Sequence, residues 1–203
     1  MFSLIRTGGV FMIPIIIAGA AAVFIIVERF LYFRDVKRRD DAFVRKLEEA
    51  LLRHDFSQAE SVCISAETPL ASVIKVAIQY RRLNEGDMRE IIQGELDEAA
   101  LNYERRISYI AVIANIATLL GLLGTVVGNI RAFGVMGSGG INSNPALLAS
   151  SIATALLTTA GGLFVSIPSL LFHNYLVQKA ERLVNKMEKT VSQFVIRLTG
   201  RMY

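Results

Sequence analysis

Long uncharged runs alternate with densely charged stretches along this chain, and that alternation sets its architecture. Between Arg6 and Glu28 lie 21 uncharged residues, between Arg106 and Arg131 another 24, and between Arg131 and Lys179 a further 47. A helix rises about 1.5 Å per residue, so roughly 20 residues cross a hydrocarbon core near 30 Å thick. The first two runs therefore each fit one span. The third contains Gly137 to Pro145, a Gly/Ser/Asn segment that reads as a loop before a single long helix. The expected fold is all-α: an integral membrane protein with three transmembrane helices, the second and third extended into a cytoplasmic helical domain. The boundaries expected are an external amino terminus at 1–9, spans at 10–31, 107–135 and 146–177, a cytoplasmic helical segment at 32–106, an external loop at 136–145 and a cytoplasmic helical tail at 178–203.

Within the charged segments the pattern is helical. Thr68-Pro69 reads as an N-cap followed by proline at the first helical position, opening a helix to about Leu83 that Asn84-Glu85-Gly86 ends. Asp87 with Glu90 three residues on resembles a capping box. From there the stripe Met88, Ile92, Leu96, Ala99, Tyr103, Ile107, Ile110 predicts one unbroken helix to about Arg131. Leu176, Ala180, Leu183, Met187, Val191, Phe194 and Leu198 keep helical spacing in the tail. Faces of this kind in so thin a layer are expected to need association between copies for their burial.

Charge fixes the expected orientation. Of the 40 charged residues, all but Arg6 and Arg131 fall within 28–106 or 179–203. Basic residues flank the inner ends of all three spans: Arg29 to Arg39 after the first, Arg105 and Arg106 before the second, Lys179 and Arg182 after the third. By the positive-inside rule those ends are cytoplasmic and the amino terminus is periplasmic. Ala18 to Ala22 offers small residues like a signal cleavage site, but the apolar run continues through Val27 into a basic flank, as a retained span does. Composition agrees, with 53% hydrophobic residues, 20% charged and a mean hydropathy of +0.45. The single cysteine, Cys63, excludes an internal disulfide.

No catalytic or metal-binding constellation emerges. His54 and His173 are far apart, Cys63 has no partner at ligand spacing, and Gly121-Leu-Leu-Gly-Thr125 lacks the lysine of a phosphate loop. Neither an enzyme nor a cofactor nor a nucleic-acid partner is expected. What stands out is a small and polar face on each of the last two spans. One carries Ala111, Ala114, Thr118, Gly121, Thr125, Gly128 and Ala132; the other Ser151, Ala155, Thr158, Thr159, Gly162, Ser166 and Ser169. Such faces allow close helix packing, with hydroxyls bonding across helices or back to their own carbonyls. Spacing alone favours that packing role over the sharper one, in which the hydroxyls line a polar interior that handles a proton.

The segment Thr118-Leu-Leu-Gly-Leu-Leu-Gly-Thr-Val-Val-Gly128 resembles the second-span signature of the MotA/TolQ/ExbB proton channel family. Ile152 to Pro168 followed by Asn174 looks like its third-span signature, and Glu28-Arg-Phe-Leu-Tyr32 also fits. Three spans match the ExbB/TolQ branch rather than MotA, which has four. The resemblance implies a homopentamer around a central pore holding a dimer of single-span ExbD- or TolR-like partners, acting with a TonB- or TolA-like protein. It implies that proton flow through the partner's aspartate drives motion, in the service of outer-membrane transport or, in the TolQ role, of envelope integrity. Thr125 and Thr159 match the family's pore-facing threonines. Thr154, Thr158 and Ser151 join them as expected pathway-lining residues, with Gly121, Gly124, Gly128, Gly161, Gly162 and Pro168 as expected packing residues. One position departs: Thr154 stands where many relatives have a glutamate. A carboxylate there would be costly and functional, so this chain relies on a partner's acid or has become a non-conducting assembly protein.

Overall fold

A computed structural model describes residues 9–53, 55–138 and 145–198. Every regular element among them is a helix: α1 (Met12–Leu52), α2 (Phe56–Ala66), α3 (Pro69–Gln79), α4 (Glu85–Glu104), α5 (Ile107–Ser138) and α6 (Pro145–Leu198). The apolar stretches of α1, α5 and α6 are long enough to cross a membrane, and the protein is a membrane protein built on three such helices. Most of the expected external loop, residues 139–144, lies outside the described residues, as do His54 and the first eight positions.

Two compact units make up the chain. The apolar unit comprises the described parts of residues 1–28 and 106–175. It buries small side chains, Ala22, Ala114, Ala117, Ala132 and Ala155 among them, while Phe24, Leu119, Phe133 and Phe164 stand exposed. An apolar exterior over a small-residue interior is what a hydrocarbon solvent selects, because lipid gives no hydrophobic reward for burying leucine and close backbone approach becomes the source of cohesion.

The charged unit comprises residues 29–105 and 176–203, as far as they are described. Its core is conventional, with Phe33, Phe43, Ile74, Ile78, Met88, Tyr103, Leu176 and Val191 fully buried. Thr68 caps α3 as expected, its Oγ1 accepting from the Ala71 amide at 3.3 Å with Pro69 at the first position. At α4 the cap falls one turn earlier than the sequence suggested. Asn84 is the N-cap, accepting from the Asp87 amide at 2.9 Å and donating through Nδ2 to the Asp87 carboxylate at 2.6 Å. Asn84 and Asp87 thus make the forward half of the capping box expected of Asp87 and Glu90, with a bond between side chains in place of the return bond to the N-cap amide.

Two further expectations are corrected. The helix predicted to run unbroken from Asp87 to Arg131 is interrupted: Arg105 leaves helical geometry at ψ 133° and Arg106 adopts φ 69° before α5 begins. The apolar stripe carries across the break, since Tyr103, Ile107 and Ile110 are all buried; periodicity alone therefore did not reveal it. The second correction concerns the stripes expected to require another copy. Met88 to Tyr103, and Leu176, Ala180, Met187, Val191 and Phe194 of the second stripe, are buried within a single chain, with Leu183 half-buried, because α1 continues to Leu52 and supplies Phe33, Val36, Phe43, Leu47 and Ala50 as further buried positions.

Candidate functional site

The α5/α6 contact is built from absences of side chain. Gly121, Gly124 and Gly128 recur at three- and four-residue spacing and are buried. A methyl group at Gly121 would meet the Thr158 carbonyl and Thr159 Cα at 3.1 Å and Gly162 Cα at 3.3 Å. At Gly124 it would collide with the Thr158 side chain, and at Gly128 with Ala155. From the other helix, a methyl at Gly162 would meet the Ala117 carbonyl at 2.5 Å. The two helices are antiparallel neighbours in backbone contact.

Gly161 serves a different neighbour. A Cβ there would meet Met12 Sδ at 3.0 Å, and one at Gly19 would meet Val165 at 3.0 Å, so α1 lies against the adjacent face of α6. Pro168 sits exposed inside α6 and lines an apolar groove of about 780 Å³ with Val23, Ile26 and Phe172.

Every threonine and serine hydroxyl named as a pathway candidate gives its proton to a backbone carbonyl. Thr159 Oγ1 donates across to the Gly121 carbonyl at 2.8 Å, the bond that ties α6 to α5. Thr125 donates to Leu122 at 2.6 Å, Thr154 to Ser150 at 2.9 Å, Ser151 to Leu147 at 2.9 Å and Thr158 to Ala155 at 2.8 Å, all within their own helices. A hydroxyl has one donor and two acceptor lone pairs, so what remains on these oxygens is acceptor capacity. Among the described residues no hydrogen bond joins Thr125 to Thr159. Thr154, Ser151 and Thr158 do meet, around a cavity of about 180 Å³ that Arg131 also lines; Thr125 and Thr159 do not line it.

Three charged arrangements escaped the sequence reading. Glu28 pairs with Arg106 at 2.5 Å, beside the break that Arg106 itself forms. Asp41 pairs with Lys186 at 2.8 Å, tying α1 to α6, and this holds the Asp41 carboxyl below its ordinary range. Asp40 sits next to it, half-buried, with the Tyr103 hydroxyl donating at 3.4 Å. Burial pushes the Asp40 carboxyl up, against the opposing pull of Thr68, Tyr103 and Lys186. Burial, with Asp40 second, likewise pushes the Tyr103 phenol up. A signal was present, for Asp40 interrupts an otherwise apolar series at heptad spacing, Phe33, Val36, Phe43, Leu47. No group of three His, Cys, Asp or Glu able to hold a metal exists among the described residues.

Comparison with known proteins supplies context for this geometry. Residues 65–189 match the family model described as the MotA/TolQ/ExbB proton channel family. A biopolymer transport protein ExbB-like 1 of Synechocystis sp. is 30% identical over 173 residues, covering 84% of this chain and 68% of that protein. The biopolymer transport protein ExbB of Neisseria gonorrhoeae is 25% identical over 207 residues, covering 95% and 92% respectively. The Tol-Pal system protein TolQ of Haemophilus influenzae is 34% identical over 96 residues, covering 47% of this chain and 40% of its own.

Proposed function

The chain belongs to the MotA/TolQ/ExbB proton channel family, and we propose that within it the chain is the scaffold subunit of an inner-membrane motor driven by the proton-motive force, energising outer-membrane transport with an ExbD/TonB-like partner. In this reading residues 10–31, 107–135 and 146–177 span the membrane. The segments 32–106 and 178–203 are cytoplasmic, and the amino terminus and residues 136–145 are periplasmic. Five copies would form the ring around a dimer of single-span partners.

The observation that carries the reading is the threonine pair. Thr159 places its hydroxyl oxygen in the α5/α6 contact beside Thr158, Thr125 stands half-buried one turn beyond Gly121 on α5, and both have already committed their protons to backbone carbonyls. Oxygens in that state accept. A partner's carboxyl group would therefore meet them in its protonated form, and its ionised form would be the one released. The cavity at Thr154, with Arg131 on its wall, is lined by no carboxylate among the described residues, which in this reading leaves the titrating acid to the partner.

Partner-dependent proton flux in reconstituted vesicles tests this. Thr125→Val and Thr159→Val keep side-chain shape while removing the hydroxyl, and each is expected to retain the partner on co-purification but lose flux. Normal flux in both would reduce these residues to packing. Two alternatives stay within the test. The likeness to a TolQ protein favours a role in envelope integrity and division, which a TolA-like rather than TonB-like protein co-purifying would select. Thr154 motivates a non-conducting assembly role, selected by absent flux in the unaltered chain with its partner bound.

A further inference from the structure

Immediately beyond its apolar stretch, α1 presents a cationic face. Lys37, Arg38 and Arg45 lie three, four and eleven residues past Arg34 on the same helix, and all four are exposed. Like charges three or four residues apart on a helix destabilise it unless something neutralises them. Asp41 is the acid on this face, and it is engaged by Lys186 at 2.8 Å. No carboxylate pairs with Arg34 or Arg38 among the described residues. The face is also concave: with Phe30, Phe33 and Lys179 it walls a groove of about 480 Å³. Lys179 comes from α6, its Nζ standing 4.4 Å from the Phe30 ring centroid and 5.9 Å from that of Phe33.

Position along the helices then narrows the occupant. Arg34 lies three residues past the end of the first expected span, about 4.5 Å along the axis, and Lys37 and Arg38 about 9–10 Å. Lys179 lies two residues past the third span. The polar layer of a bilayer adds roughly 5–8 Å on each side of the hydrocarbon, and long basic side chains reach back toward it. Two helices thus bring cations to the depth of lipid phosphates, with aromatic rings at the hydrocarbon boundary. Phe30 is 46% exposed and Leu31 56%, a surface suited to acyl chain rather than to water.

We propose that this groove is a seat for the phosphate headgroup of an anionic phospholipid, held by Arg34, Lys37, Arg38 and Lys179 with its proximal acyl carbons against Phe30. A bidentate guanidinium fits a phosphodiester better than a point charge does, and a resident phosphate supplies the counter-charge that the Arg34/Arg38 pair lacks. The inference is independent of the motor reading, since it concerns a static contact in the charged unit.

Native mass spectrometry of the full chain in mild detergent tests it, with added phosphatidylglycerol or phosphatidylcholine and with glycerol 1-phosphate as soluble competitor. Phosphatidylglycerol should bind with a preference over phosphatidylcholine, and Arg34→Gln/Arg38→Gln should weaken it by roughly tenfold or more. Arg53→Gln/Arg82→Gln removes the same charge elsewhere and should leave binding unchanged. If both double variants weaken it equally, the attraction is general and the seat is refuted. Equal binding of both lipids in the unaltered chain refutes it too. Displacement by glycerol 1-phosphate at lipid-like concentration would make this a site for soluble phosphates and overturn the lipid assignment. Should circular dichroism show that the Arg34/Arg38 variant is misfolded, Lys179→Gln decides: severalfold weaker phosphatidylglycerol binding supports the seat, and unchanged binding overturns it.

Discussion

Replacing Gly162 by alanine should break a hydrogen bond that Gly162 does not make. An added Cβ would lie 2.5 Å from the Ala117 carbonyl oxygen, whereas ordinary contact begins near 3.4 Å. The obstacle is backbone, with no rotamer to turn aside, so α5 and α6 must separate locally by about 0.9 Å. Three residues away Thr159 donates to Gly121 at 2.8 Å, and the same separation stretches that bond to about 3.7 Å, beyond useful reach. Overpacking costs about 1–3 kcal/mol, and an interhelical hydrogen bond in a membrane protein contributes about 0.6 and at most about 1.7 kcal/mol. Gly162→Ala should therefore cost about 2 kcal/mol and Thr159→Val about 1. The double variant should cost little more than Gly162→Ala alone, because the bond is already lost. Unfolding in mixed micelles at increasing mole fraction of sodium dodecyl sulfate, followed by circular dichroism, measures all four corners of the cycle. Gly134→Ala is the control: among the described residues, no atom outside its chain neighbours and its own helix backbone lies within 4 Å of its added Cβ, so it should be neutral or stabilising. Costs that add to within about 0.5 kcal/mol would refute the shared separation, as would a Gly162→Ala variant as stable as the parent.

Two predictions concern the charged unit. Burial pushes the Cys63 thiol up to about 11, with Glu60 adding to the rise and Lys75 opposing it, so at pH 7–8 it should react with maleimide far more slowly than an exposed thiol, and rapid labelling would refute its burial; a topology test needs exposed sites instead, such as Ser192→Cys in the tail paired with Gly137→Cys. Asp40 is raised by burial, so its protonated form is favoured in the fold: it stabilises below the unfolded value near 4 and that contribution is lost as pH rises through the raised folded value. Acidification from neutral toward about pH 4 should thus improve the melting temperature of the parent relative to Asp40→Asn, and a difference independent of pH would contradict the assignment. Asp41 titrates with the opposite sign through its pairing with Lys186, which is why the comparison uses the Asp40 variant and not the parent alone.

The membrane-crossing stretches could be read from the chain because bilayer thickness converts directly into a count of uncharged residues, and the α3 cap could be read because threonine followed by proline has few other uses. The break at Arg105 and Arg106 could not. It is a dihedral event, with no glycine at the position of positive φ and no interruption of the apolar period. The extension of α1 to Leu52 was hidden for a different reason. Its buried series is embedded among charges and carries Asp40 at a core-like position, so the segment looked solvated until Tyr103 and Lys186 were seen around it. The small-residue faces were visible as faces, but sequence spacing treats neighbouring positions as equivalent. That Gly161 faces α1 while Gly162 faces α5 follows from their roughly 100° separation around α6, once both neighbours are in place.

Surfaces made of glycine and alanine have no side-chain torsions to reorganise. Where α5 meets α6 most closely, the opposed groups are backbone atoms of Ala117, Gly121, Thr159 and Gly162, and three features stand proud of them: the Thr158 side chain seated at Gly124, the Ala155 methyl seated at Gly128 and the Thr159 bond to Gly121. Such a contact has the form of a plain bearing with two pegs and a latch. Sliding along it would have to lift both pegs and open the latch, so any friction in this joint would be written in Ala155 and two adjacent threonines.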